Sequence, residues 1–337
     1  MKTIGIIGPG YVGQGVYRTF GDQVQAMYSP SGNSVNEEFK PALAWRKNYP
    51  KGKDEIIAKR EARDTKEAIN KCDLVVICAP TPMAKDGSCN WSAVEDAVKW
   101  ITAPFVLIKS TIPPGTTEYL NKTYGERFAF SPEYMGEGGY FTPFWKYPDP
   151  KNMIMHSFQI FGGPRKVTNA MVDIFIRKMG PHVFYAQTDS RTAEVVKHME
   201  NSWGGMKVTF VNEWYEIAKA HGVDYREVRE LWALDERVEK MHTAVFPDKR
   251  GFGGKCFPKD INSIVFETRK KGYEPEIMAQ ILKSNAKFVA MNERGGDKNM
   301  DEDKKPEGEN GDASPSAPPD STPAGGEGGE SPAEPTA

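Results

Sequence analysis

One cysteine of this chain sits in a setting suited to chemistry: Gly251-Phe252-Gly253-Gly254-Lys255-Cys256-Phe257-Pro258-Lys259-Asp260. Three glycines let a backbone turn tightly or pass close to a ligand where a β-carbon would intrude. Cys256 follows them, with Lys255 and Lys259 on either side and a carboxylate four positions on. Nearby cations favour the thiolate, which is the nucleophilic form. The bland alternative is a buried structural cysteine. So many glycines and charges make a poor core strand, which favours the reactive reading.

A second pattern lies near the N-terminus. Residues 3–7 form a short apolar run of strand type, followed by Gly8-Pro9-Gly10-Tyr11-Val12-Gly13 and a helix-like stretch through Val16 and Phe20. This is the Gly-x-Gly-x-x-Gly turn of a dinucleotide-binding unit. Its first glycine makes the turn, its second admits the pyrophosphate and its third lets helix and strand pack. The phosphates then rest on the N–H groups that open the helix. An acid usually follows about 20 residues on, where it holds the adenosine ribose. Here the second strand reads Val24-Gln25-Ala26-Met27-Tyr28-Ser29, so Tyr28 takes the acidic position. No arginine adjoins Tyr28 in sequence. The pattern therefore points to a nicotinamide dinucleotide and leaves the choice of NAD or NADP open.

Further apolar runs end in polar, proline-rich turns. Residues 74–78 lead to Ala79-Pro80-Thr81-Pro82, and residues 105–108 lead to Lys109-Ser110-Thr111-Ile112-Pro113-Pro114-Gly115. Residues 128–130 lead to Ser131-Pro132-Glu133. Continuous apolar runs of this length suit parallel strands buried on both faces. Ligands of such sheets bind beyond the carboxyl ends, which would gather Pro80, Thr81, Thr111 and Glu133 at one edge. Ordinary turn chemistry is the competing account of any one of these segments, and it weakens for the set.

A helical pattern then runs over residues 192–220. Lys197 and Asn201 are four apart and share a face, with a solvated surface as the plain alternative. Val208, Val211 and Ile217 suit the packed side, and His198 reads as an exposed helical residue. Gly204-Gly205 costs the helix roughly 1 kcal/mol per glycine, which signals close approach of a backbone or ligand. More helix is expected over 225–234, 261–271 and 277–291. Beyond Asn292 the chain is acidic, rich in Gly, Pro and Ser and nearly devoid of apolar residues. Such sequence cannot offset chain entropy by burial. It reads as a disordered tail.

The expected fold is α/β. A Rossmann-type, doubly wound parallel sheet spans residues 1–189, an all-α central dimerisation domain carrying Cys256 spans 190–292, and the tail spans 293–337. The chain has 337 residues and a net charge of −2, which argues against a general nucleic-acid binder. No apolar run is long enough to span a bilayer. Four cysteines and five histidines show no metal-ligand spacing, so no metal is expected. A reducing cytoplasm fits.

Taken in order, these motifs resemble the UDP-glucose/GDP-mannose dehydrogenase family, from Ile4 to about Asn292. The resemblance includes Gly8 to Gly13, Ala79 to Pro82, Lys109 to Gly115, Ser131-Pro132-Glu133-Tyr134-Met135-Gly136-Glu137-Gly138, Lys197 with Asn201, Phe210-Val211-Asn212-Glu213 and Gly251 to Asp260. It implies a four-electron oxidation of a nucleotide-sugar C6 alcohol to the acid, with two NAD reduced. By this resemblance Cys256 forms the thiohemiacetal and thioester, while Lys197 and Asn201 stabilise the oxyanion. Asp260 with Thr111 positions a water, and Glu133 serves thioester hydrolysis. Gly8, Gly10, Tyr11, Val12, Gly13, Tyr28, Pro80, Thr81, Thr111 and Glu137 are implied on the cofactor side. Glu133, Lys197, Asn201, Gly253 and Arg237 are implied on the substrate side, with Arg237 supplied across a homodimer built on the long helix.

Three departures stand out. Tyr28 replaces the ribose acid, residues 140–156 look longer than the family's link, and the family's third, nucleotide-binding domain has no counterpart. Two other functions therefore remain in play. One is a catalytically impaired or split homologue that binds cofactor or nucleotide sugar. The other is a two-electron β-hydroxyacid-type dehydrogenase, which would have no need of Cys256.

Overall fold

The computed structural model of the protein describes residues 2–29, 65–135 and 153–293. Its strands are β1 Ile4–Ile7, β2 Val24–Tyr28, β3 Leu74–Ile77, β4 Phe105–Ile108, β5 Phe128–Phe130, β6 Phe158–Gly162 and β7 Phe184–Thr188. The described helices are α1 Tyr11–Phe20, α2 Lys66–Asn70, α3 Ser92–Val98, α4 Thr116–Tyr124, α5 Arg165–Met179, α6 Ser190–Ala220, α7 Tyr225–Trp232, α8 Phe257–Arg269 and α9 Glu276–Glu293.

The strands form one sheet in the order β2-β1-β3-β4-β5-β6-β7. The first five run parallel. From β1 the chain steps to β2 on one side and then to β3 on the other. This reversal opens a crevice at the carboxyl end of β1, where ligands of doubly wound sheets bind. The apolar runs bury both faces by simple alternation. Ile4, Ile6, Leu74, Val76 and Leu107 pack on α1 and α5. Val75, Ile77, Val106, Ile108 and Phe128 pack on the opposite side with α3.

The expected Rossmann-type sheet is present with one addition. β6 pairs antiparallel with β5 through Phe130 and Gly162, and β7 runs parallel to β6. The apolar runs do not announce either strand. β6 carries a polar residue, and β7 is exposed at Phe184 and half-exposed beyond it, so neither shows the buried apolar stretch of the other strands.

Helix α6, with 31 residues, links the sheet to the helical region. At about 1.5 Å per residue it is roughly 46 Å long. Asp189 caps it by accepting a hydrogen bond from the Thr192 N–H at 2.9 Å. Its first turns lie against the sheet so closely that a β-carbon on Gly162 would sit 2.5 Å from that of Ala193. Further along, Gly204 and Gly205 admit α8: added β-carbons would lie 2.5 Å from the Phe257 ring and from Ile261 Cδ1. The close approach read from these glycines is thus helix packing. Val211 is buried as expected, whereas Ile217 is exposed at 36%. That end of α6 turns Ala218 inward instead.

Candidate active site

At the sheet's crevice each glycine of Gly8-x-Gly10-x-x-Gly13 has a distinct task. Gly8 has a φ of +80°, and its β-carbon would lie 2.6 Å from the Cys78 carbonyl oxygen. A β-carbon on Gly13 would lie 2.5 Å from the Gly8 carbonyl oxygen. These two glycines are demanded by the protein itself. Gly10 has nothing within 4 Å of an added β-carbon, so its bare backbone faces open space. It begins α1 with no side-chain cap and no acid in the first turn. A helix start of this kind suits a diphosphate. Gly15 adds a signal that the fingerprint does not include: its β-carbon would overlap Met135 Sδ, so α1 rests on the turn that carries Glu133.

Neighbouring loops close around this point. Thr81 Oγ1 donates to the Thr111 carbonyl at 2.8 Å, and Ser110 Oγ donates to that of Ala79 at 2.7 Å. Pro80 is exposed beside them, and Tyr11 and Val12 are half-buried. Tyr28, at the end of β2, supplies a ring where a carboxylate would stand. That ring packs edge-on against Trp100 at 5.2 Å. Glu137 lies outside the described residues.

A continuous run of buried polar groups extends from the sheet to α8. Lys109, at the end of β4, pairs with Glu133 at 3.2 Å. Glu133 Oε1 accepts the N–H groups of Tyr134 and Met135 at 2.9 and 2.8 Å. Burial pushes its carboxyl up, but the Lys109 ammonium, the Met135 N–H and Lys197 outweigh that and hold it below its ordinary range. Lys197 Nζ donates to the Glu133 backbone carbonyl at 2.5 Å and to Asn201 Oδ1 at 3.3 Å. Asn201 Nδ2 donates to Asp260 Oδ2, and Lys259 pairs with Asp260 Oδ1. Lys197, Asn201 and Asp260 are all under 9% exposed, so the shared face is no solvated surface. Among the described residues, three ammonium groups meet two carboxylates here. The surplus positive charge would stabilise a thiolate or oxyanion set beside it.

Cys256 is exposed and caps the N-terminus of α8, one turn before Asp260, whose N–H donates to the Cys256 carbonyl at 2.9 Å. The glycine loop before it is pinned by side chains that no sequence motif singles out. Arg250 is buried and donates to Asn212 Oδ1 at 2.7 Å and Glu216 Oε1 at 2.6 Å. Asn285 Oδ1 and Asn292 Oδ1 accept the Phe252 and Arg250 N–H groups, each at 2.7 Å. Asn285 and Asn292 are seven apart on one helix, and that spacing is their only sequence signal. Gly251 needs its φ of +73°, since a β-carbon would lie 2.7 Å from Asn285 Oδ1. Gly253 is exposed with open space around it.

His198 corrects its reading as an exposed residue. It is 1% exposed, with Nδ1 3.1 Å from the Asp260 carbonyl and Nε2 3.2 Å from the Ile112 carbonyl. Its face of α6 is covered by the Thr111 loop and α8. Glu194, one turn earlier, grips the same loop by accepting the Gly115 and Thr117 N–H groups at 2.5 and 2.8 Å. Arg237, by contrast, is not drawn into the site. It is exposed and bonds Asp235 two residues away, at 3.0 Å through Nε.

Residues 52–144 match the NAD binding domain of the UDP-glucose/GDP-mannose dehydrogenase family, and residues 191–287 match its central domain. The chain belongs to this family. The cofactor it is built for is NAD(H), consistent with the open backbone at Gly10. A GDP-mannose 6-dehydrogenase of Pseudomonas savastanoi pv. phaseolicola is 28% identical over 249 residues, 68% of this chain and 54% of that protein. The UDP-glucose 6-dehydrogenase YwqF of Bacillus subtilis (strain 168) is 27% identical over 276 residues, 76% of this chain and 58% of that one. A UDP-glucose dehydrogenase structure from Pyrobaculum islandicum matches with a TM-score of 0.64 at 25% identity, over 85% of this chain and 68% of that one. The 3-hydroxyisobutyrate dehydrogenase of Mycobacterium tuberculosis, 15% identical with a TM-score of 0.55 over 86% of this chain and 94% of that one, shares the fold alone. The chain spans about half the length of the curated relatives it matches. Among the described residues, no helix is long and apolar enough to cross a membrane.

Proposed function

We propose that the chain is an NAD-dependent nucleotide-sugar 6-dehydrogenase that oxidises a C6 alcohol to the acid through Cys256. The observation that carries this reading is the exposed Cys256 thiol, one helical turn from the buried Lys197–Asn201–Asp260 network. Bound NAD would accept a hydride in each of two oxidations. In the first, a water held by Asp260 and Thr111 takes the hydroxyl proton, and the alcohol becomes an aldehyde. The Cys256 thiolate adds to the aldehyde carbon. Lys197 and Asn201 donate to the resulting oxyanion, and one such donor is worth about 2.7–4 kcal/mol. Loss of the second hydride leaves a thioester. Water attached through Glu133 adds to the acyl carbon, the carbon–sulfur bond breaks, and the thiolate returns.

A pairing of two copies through α6 belongs to the same proposal. Val195, Met199, Trp203, Phe210 and Trp214 are exposed along one helix at spacings of about four or seven residues. An apolar stripe of this size favours covering by another surface. A second copy would also bring in its own Arg237. The division at residues 189 and 190, a cytoplasmic setting and a tail that takes no part in pairing complete the reading.

The test is cofactor reduction with a panel of nucleotide sugars. Two NADH per sugar are expected, with no acid formed by Cys256→Ala and NAD binding retained. One NADH per substrate would favour a two-electron dehydrogenase. NAD binding without turnover on any nucleotide sugar would favour a binding protein.

A further inference from the structure

Lys109 lies at the end of β4 and is 3% exposed. Its ammonium has three protons and faces three acceptors: Glu133 Oε2 at 3.2 Å, Ser131 Oγ at 3.3 Å and the Pro132 carbonyl at 3.5 Å. All three belong to the turn after β5, so the side chain is anchored to that turn alone. Glu133 divides its two oxygens. Oε1 is occupied by two backbone N–H groups. Oε2 is buried and makes no hydrogen bond, although the Lys109 charge stands beside it. A buried carboxylate is costly unless it is paired, and one with an unfilled acceptor position calls for a further donor.

We infer that Lys109 is a positioning residue for the hydrolytic half of the reaction, holding Glu133 as an anion whose Oε2 lacks a hydrogen bond that the attacking water can supply. This inference rests on the proposed function. Lys109 touches Glu133 and its turn, whereas Asp260, which serves the alcohol oxidation, lies further along the polar network beyond Lys197 and Asn201. Water donates its proton to Oε2 as its oxygen adds to the thioester carbon, and the Cys256 thiolate leaves. A protonated Glu133 could not accept that proton, so the charge on Lys109 sets the step's pH dependence. Among the described residues, the other ionisable groups facing Glu133 are Lys197 from α6 and Cys78 from the end of β3. Burial pushes the Cys78 thiol up, so it adds no competing negative charge.

The test separates the two halves by kinetics. With a nucleotide sugar, Lys109→Met should leave the first NADH burst near the wild-type rate. Thioester hydrolysis should slow about 100-fold, the scale of a lost general base. Mass spectrometry should then find the acyl group accumulating on Cys256. The acid limb of the hydrolysis profile should move to higher pH, and Lys109→Arg should restore part of the rate. A lone Lys109→Met strands a buried carboxylate and can fail to fold, so the neutral pair Lys109→Met/Glu133→Gln is tested beside Glu133→Gln. If Lys109 acts through Glu133, the pair hydrolyses no more slowly than Glu133→Gln alone. Equal slowing of the first burst, or additive losses in the pair, would overturn the inference. Absence of any acyl-enzyme in the wild type would instead overturn the proposed reaction. In that event the Glu133 carboxyl, followed by carbon NMR, still decides the role of Lys109: it must titrate at higher pH when Lys109 is replaced.

Discussion

The Gly8–Gly13 turn and the Gly251–Cys256 loop are both glycine-rich, yet they are held by opposite means. The first is fixed by backbone against backbone, with Gly8 against the Cys78 carbonyl and Gly13 against the Gly8 carbonyl. The second is suspended from side chains of two helices, through Asn212 of α6 and Asn285 and Asn292 of α9, with Arg250 at its base. A backbone-built site tolerates few changes within its motif and many outside it. A side-chain-built loop can be undone from positions distant in sequence.

Replacing Arg250 should therefore give the largest effect. Arg250→Met removes the donors to Asn212 and Glu216 and the guanidinium stacked 4.4 Å over the Tyr215 ring. Glu216 is half-exposed, so the cost lies mainly in the hydrogen bonds of the buried guanidinium, each worth about 1.5–3 kcal/mol, for a total of about 3 kcal/mol or more. Turnover should collapse and Tm should fall, while the NAD Kd, measured by titration at a temperature where the variant is folded, stays near wild type. An equal loss of NAD binding would show that the two regions are not held independently.

A smaller effect divides the first region within itself. Gly8→Ala forces a β-carbon into left-handed backbone and against a carbonyl, for about 2–4 kcal/mol. Gly10→Ala meets nothing in the protein. Thermal melts should show a large drop for Gly8→Ala and almost none for Gly10→Ala. Calorimetry should show weaker NAD binding, by at least about tenfold, for the well-folded Gly10→Ala, because its methyl group would keep the pyrophosphate off the backbone. Unchanged NAD affinity in that variant would remove Gly10 from the cradle.

The same contrast explains how much of the molecule is legible in its sequence. The glycine fingerprint, the buried strands and the long helix follow from backbone geometry and continuous apolar runs, which leave local marks. β6 and β7 leave none, β6 being interrupted by the polar Gln159 and β7 being exposed or half-exposed along its length. His198 reads as exposed because its covering carbonyls, at Ile112 and Asp260, are 86 and 62 residues away. Arg250 and the two asparagines are invisible for the same reason. Lys109 stands within a recognisable motif, but only the fold sets it against Glu133.

Glu194 tests the seam between the regions, since it grips the loop that carries Thr111. Burial pushes its carboxyl up to about 7, while the Thr117 and Gly115 N–H groups pull the other way. The folded pKa lies above the unfolded one, so the contribution to stability is full at acidic pH. It is lost as pH rises from about 4.5 through about 7. Wild-type Tm should fall between pH 5 and pH 8 by roughly 4–8 °C from this group. Glu194→Gln cannot ionise and should lose that slope. A parallel slope in both proteins would mean that the N–H donors, rather than burial, govern Glu194.

The smallest effect concerns the one place where the cofactor turn departs from its usual chemistry. Tyr28 ends β2 and spends its ring on Trp100, so it offers no carboxylate to the adenosine ribose. Tyr28→Asp would supply one, accepting the two ribose hydroxyls and repelling a 2′-phosphate. A selectivity gain for NAD over NADP of about tenfold is expected, equivalent to about 1.4 kcal/mol. Removing the aromatic pair should cost the fold about 0.5–1.5 kcal/mol, visible as a slight drop in Tm without cofactor. The two readouts move in opposite directions, so a merely damaged protein cannot imitate the result. If the Kd ratio of NAD to NADP already favours NAD strongly in the wild type and does not move in the variant, ribose recognition lies elsewhere than at the end of β2.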